Sequence, residues 1–188
     1  MLVLAYCAGL RIGEIVRLNI GDFDVREGSI DVQDTKFFKS RRLPLSASVA
    51  GALEAYLRER QQAGAPTSLD APLFWHPHLS GRYSHSRGGQ LLVRVLRRAE
   101  LKPAAGRTGP RIHDLRHAFV VNRMLAWYRE GINPQSRLPY LATYLGHKDI
   151  NSTLVYLTIT QELLQQASER FRVRGTAVLH ASREGGNA

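Results

Sequence analysis

Between His113 and Tyr156 the chain reads HDLRH, then LGH, then a tyrosine a short way beyond. These residue types suit work at a phosphate. The Arg116 guanidinium presents a planar fork of donors to two phosphate oxygens, while His113 and His147 can donate or move protons near neutral pH. The Tyr156 hydroxyl is a nucleophile able to attack phosphorus. On a helix, His113, Arg116 and His117 fall at i, i+3 and i+4 and so share one face. Taken singly, each has an ordinary alternative: His and Arg cap or solvate helix ends, His117 suits a structural hydrogen bond, and a lone tyrosine is usually packing.

Positioning these groups requires helices and one small sheet. Residues 2 to 18 read as a helix interrupted around Gly9, which brings Arg11 and Glu14 to i and i+3. From Phe23 to Leu45 the pattern changes to short alternating segments, SIDVQD and FFKSRRLPL, read as an antiparallel hairpin with Lys36 and Lys39 near its tip. Ser46 is read as the N-cap of an amphipathic helix running to about Ala63. A loop GAPTSLDAP, a polar stretch HPHLSGRYSHSRGG, a basic helix from Gln90 to Glu100 and a loop PAAGRTGPR follow. The strongest helical pattern runs from His113 to about Tyr128. Further helices are expected over Leu138 to Leu145, Ile150 to Tyr156 and Gln161 to Phe171, with a flexible tail over 176–188. The fold class expected is mainly α with a small antiparallel β-sheet.

Composition narrows the partner. Lys and Arg total 26 against 16 Asp and Glu, a formal charge of +10, which favours a polyanion whose counterions such a surface displaces. Cys7 is the single cysteine, which excludes an intramolecular disulfide framework and fits a reducing cytoplasm; among Leu4, Ala5 and Ala8 it reads as a buried small hydrophobe. The N-terminal apolar run passes directly into a charged amphipathic pattern, so neither signal peptide nor membrane span is expected. Asp22 with Asp24, and Asp31 with Asp34, read as turn formers and solvated edges in preference to a two-metal nuclease site. His76, His78 and His85 lie in a Pro/Ser/Gly-rich loop without cysteine or acidic companions, so no metal and no cofactor is expected.

Read in order, AGLRIGEIVRL at 8–18, TKFFKSRRLPL at 35–45, HDLRH at 113–117, LGH at 145–147 and Tyr156 resemble the catalytic domain of the tyrosine recombinases, the phage-type integrases. The version here looks most like integrases of transposons and related mobile elements. The resemblance implies the DNA breaking-rejoining fold over 1–175 and site-specific DNA recombination through a 3′-phosphotyrosine intermediate. It implies catalytic roles for Arg11, Lys36, His113, Arg116, His147 and Tyr156, with Lys39 the alternative hairpin lysine and Glu14 orienting basic groups. Double-stranded DNA is the implied partner, with a homotetramer on paired sites. Two departures stand out: YLT follows the position where many members have YTH, and Met1 lies so close to Arg11 that the usual helical core-binding domain is expected to be absent. A DNA-binding remnant that cannot recombine and a type IB topoisomerase-like enzyme are the alternatives.

Overall fold

The computed structural model describes residues 1–34, 39–77 and 81–147, so Lys36, His78, Tyr156, the two helices expected beyond Ile150 and the tail lie outside the described residues. The chain divides into two compact units, Met1–Phe119 and Val120–Ala188. The described elements are mainly helical with small antiparallel sheets, as the patterning indicates.

The first unit opens with α1 (Leu2–Cys7) and α2 (Ile12–Arg17). Leu4, Ala5 and Ala8 are buried along one side of α1. Cys7 is exposed, correcting the expectation of a buried thiol: it is the last residue of the short helix and lies at the edge of the face that Leu4, Ala5 and Ala8 bury. A 3-10 turn over Ile20–Asp22 leads into β1 (Phe23–Asp24), β2 (Ser29–Asp34) and β3 (Lys39–Pro44), which pair antiparallel in that order. Ile30 faces Leu43 and Val32 faces Arg41 on the core side, whereas Asp31 faces Arg42 on the outer side. The acidic pairs do act in turns and edges where their side chains are described. The Asp22 carboxylate accepts the Asn19 N–H, Asp24 accepts from Arg26 and Glu27, and Asp31 takes two bonds from Arg42.

Helix α3 (Ala47–Gln62) begins where Ser46 predicts, its hydroxyl accepting the Val49 N–H. A two-stranded ladder then forms from β4 (Trp75–His76) and β5 (Gly81–Arg82) inside the stretch read as polar loop. Helix α4 (His85–Arg98) starts five residues before the expected Gln90. Ser84 caps it, and Gly88, a helix breaker by propensity, is there for packing: a Cβ on it would come within 2.7 Å of Val16 Cγ1 on α2. Arg82 closes the other end of α2, its Nη1 donating to the carbonyls of Val16 and Arg17 at 3.0 and 2.8 Å.

Helix α5 (Ile112–Arg129) matches the expected span and runs across the boundary between the units. In the second unit α6 (Pro134–Leu145) starts four residues before the expected Leu138. Asn133 caps it and Pro134 takes the first helical position, where a missing N–H costs nothing. No described helix is long and apolar enough to cross a membrane.

Candidate functional site: an arginine cluster on Glu14

Arg11 stands at the N-cap of α2, in extended conformation, so that its side chain leaves the helix end while Glu14 sits one turn in. The Glu14 carboxylate accepts the Arg11 backbone N–H at 2.8 Å and its Nη1 at 3.0 Å. The first bond satisfies a donor that every helix start leaves open. The same device recurs at α5, where Asp114 accepts the backbone N–H of Arg111 at 2.8 Å and its Nη2 at 3.1 Å. The acid in HDLRH is thus a cap that starts the helix carrying His113 and Arg116.

Glu14 gathers more than its own helix end. Arg41 Nη2 reaches its Oε1 at 2.8 Å, and Arg116 Nη1 lies 3.9 Å from its Oε2. Arg41 is a member of this cluster that the motif residues do not include, and alternation along β3 is its signal: it lies two residues before buried Leu43, on the core face opposite Val32. Burial alone would push the Glu14 carboxyl up. The charge and hydrogen bond of Arg41, then the Arg11 N–H and charge, outweigh that and hold it below the ordinary carboxylate value. Three guanidiniums on one carboxylate leave two positive charges in excess.

Arg116 is 1 % exposed, and its Nη1 donates to the Gly9 carbonyl at 2.7 Å. Gly9 is required here twice over. Its φ is +63°, and a Cβ on it would fall 2.5 Å from Phe119 Cδ1, one turn along α5 from Arg116. The glycine in AGLR therefore lets the corner between α1 and α2 touch α5 and hand a carbonyl to the second arginine. Arg11 is the accessible member, with 40 % of its side chain exposed.

His113 lies in the first turn of α5, its ring 4.7 Å from that of His117 and edge-on to it. Burial, then the charges of His117, Arg116 and Arg11, lower its pKa from the ordinary histidine value, with Asp114 working in the opposite direction. The imidazole is therefore neutral at pH 7 and able to accept a proton. Because the folded-state pKa is depressed, stability from this group is fully present above about pH 6.5 and is lost as pH falls through the lower value. An NMR titration of the His113 ring is expected to give a midpoint below about 6.5; a midpoint at or above it would show that burial and the neighbouring cations do not govern this ring.

The structure thus brings Arg11, Glu14, His113 and Arg116 into one neighbourhood of the first unit. His147 belongs to the second unit. There Gly146, at φ +65°, ends α6, and the His147 N–H bonds back to the Ala142 carbonyl at 2.9 Å, leaving the half-buried ring on a fixed helix terminus. His76 packs edge-on against Tyr83, and His85 begins α4.

Helix α4 lines a groove of about 720 Å³ with Arg87, Gln90, Arg94 and Arg97, together with Ile112 at the start of α5. Arg87, Gln90 and Arg94 are exposed, and among the described residues neither Arg87 nor Arg94 is in an ion pair. Their spacing, i, i+3 and i+7, puts them on one helix face.

The sequence profile of the phage integrase family matches residues 1–162. The Sinorhizobium fredii protein y4rE, named an integrase/recombinase, is 41% identical over 175 residues, covering 90% of this chain and 53% of that protein. The crystal structure of XerA recombinase superposes with a TM-score of 0.70 at 26% identity, covering 90% of this chain and 56% of that one. The XerH site-specific recombinase, solved bound to a palindromic difH substrate after cleavage, shares the fold with a TM-score of 0.65 at 23% identity, covering 89% of this chain and 43% of that one. The chain spans about half the length of the relatives it matches.

Proposed function

Because the chain belongs to the phage integrase family, we propose that it breaks and rejoins DNA strands in site-specific recombination, through a 3′-phosphotyrosine intermediate. The observation that carries this reading is the Glu14-centred cluster. Its two excess positive charges suit a phosphodiester that gains negative charge as a nucleophile adds to phosphorus.

In this reaction the Tyr156 oxygen attacks the scissile phosphorus and the 5′-oxygen leaves. His113, neutral at pH 7, takes the phenolic proton, and Lys36, or Lys39 on the same hairpin, returns one to the leaving oxygen. Arg11 and Arg116 hold the nonbridging oxygens, with His147 as a further donor. One phosphoester replaces another, so attack by a 5′-hydroxyl reverses the step and reseals a strand.

DNA is the partner that charge favours. The exposed Arg87 and Arg94, with Gln90 between them, form a face suited to phosphate and base-edge contacts beside the start of α5. Residues 1–175 act as the catalytic domain, in the cytoplasm, and as a tetramer when two DNA sites are paired.

The test is a nicked suicide half-site, from which the short cleaved fragment diffuses away, incubated with the chain in the presence of a chelator. A covalent protein–DNA adduct that survives denaturant, with release of a free 5′-hydroxyl, is expected. Absence of any adduct on the cognate site would defeat the reading.

A further inference from the structure

The loop between α4 and α5 is organised around a buried cation. Lys102 is 8 % exposed, and its ammonium donates to the Thr108 carbonyl at 2.6 Å and lies 3.3 to 3.4 Å from the carbonyls of Arg107, Gly109 and Pro110. Among the described residues it has no acidic partner. Lysine is almost never buried unless paired, so backbone dipoles alone offset the loss of water here. The cost is recovered only if all these carbonyls stay turned inward, which makes the cation a constraint on the loop path.

That path ends at the arginine cluster. Pro110 is followed directly by Arg111, whose N–H is the cap donor to Asp114, and then by His113 and Arg116. Gly109, at φ +79°, packs over the lysine stem, with its hypothetical Cβ 3.6 Å from Lys102 Cγ and 3.0 Å from Pro103 Cδ. Arg97 ties the front of the same loop to α4, donating to the carbonyls of Pro103 and Gly106 at 3.1 Å each.

We infer that Lys102 is a positioning residue: its ammonium, ringed by the carbonyls of residues 107–110, fixes the entry of α5 and so the placement of His113 and Arg116. The effect on strand cleavage rests on the function proposed above; the effect on the loop does not. Lys102 touches no reacting atom and acts only through α5.

The test compares the full chain with Lys102→Met. Amide exchange over 107–116 is expected to quicken by about tenfold or more, since opening of this segment no longer breaks the ammonium contacts. Adduct formation on saturating suicide half-site is expected to fall by about 10²-fold, with DNA affinity held within about threefold, as misplacement by an ångström would cause. Lys102→Cys in a Cys7→Ser background, alkylated with bromoethylamine, rebuilds an ammonium at lysine length and should restore both. Should the methionine variant fail to fold, Lys102→Arg keeps the charge but cannot converge on four carbonyls, and faster exchange over 107–116 is again expected. Unchanged exchange there, or no recovery on aminoethylation, overturns the inference. A wild-type chain that forms no adduct defeats the proposed function, and the exchange comparison then decides the role of Lys102 alone.

Discussion

Replacing Glu14 with alanine is expected to lower unfolding free energy by about 3 kcal/mol, because removing one partner of a buried ion network leaves its cations uncompensated. Glu14 is 7 % exposed and touches Arg11, Arg41 and Arg116, drawn from α2, β3 and α5. Without it, three guanidiniums repel one another across the junction of the three elements, and the cap on α2 goes as well. Urea unfolding of the two proteins measures this, and a loss under about 1 kcal/mol would reduce the network to the value of a surface pair. The pH dependence carries the same sign. Since the folded-state pKa of Glu14 is depressed, its contribution is present above the ordinary carboxylate range and is lost as pH falls through the lower value. Glu14→Ala should therefore lose less stability on acidification than the parent.

Much of this arrangement was legible beforehand. HDLRH could be placed on a helix because apolar residues recur after it at helical spacing, and the hairpin because SIDVQD and the segment before Pro44 alternate. Arg41 is readable from that same alternation, although the resemblance assigns it no catalytic role. Gly9 is a different case. Its neighbour Phe119 is distant in sequence, and no local pattern announces that an added methyl would strike that ring. The start of α4 was hidden by Gly88, kept for contact with Val16. At Gly9 and Gly88 a packing requirement overrides the local propensity. The carbonyls around Lys102 belong to the backbone, whose direction in a loop no side-chain pattern encodes.

The second large effect concerns Tyr156, the proposed nucleophile. Tyr156→Phe removes one oxygen and little volume, so DNA affinity and stability are expected to stay close to those of the parent. The transesterification loses the atom that forms the new bond, and its rate should fall below detection. Substitutions at Arg11 or Arg116 are expected to act differently, slowing the proposed reaction by about 10²-fold or more through weaker charge stabilisation while leaving Tyr156 in place. Arg11→Ala is the gentler of the two to make, because its side chain is 40 % exposed whereas that of Arg116 is 2 %. A slow but finite reaction in Arg11→Ala beside complete loss in Tyr156→Phe would separate the phosphate clamp from the attacking group.

Mapping the covalent bond tests the central claim most directly. The adduct formed on the suicide half-site is digested with protease and nuclease, and the peptide that retains a nucleotide is sequenced by mass spectrometry. Attachment of the 3′-phosphate to Tyr156, with no adduct from Tyr156→Phe, is the predicted result. Attachment to another residue, or an adduct that forms equally well in Tyr156→Phe, would contradict the account.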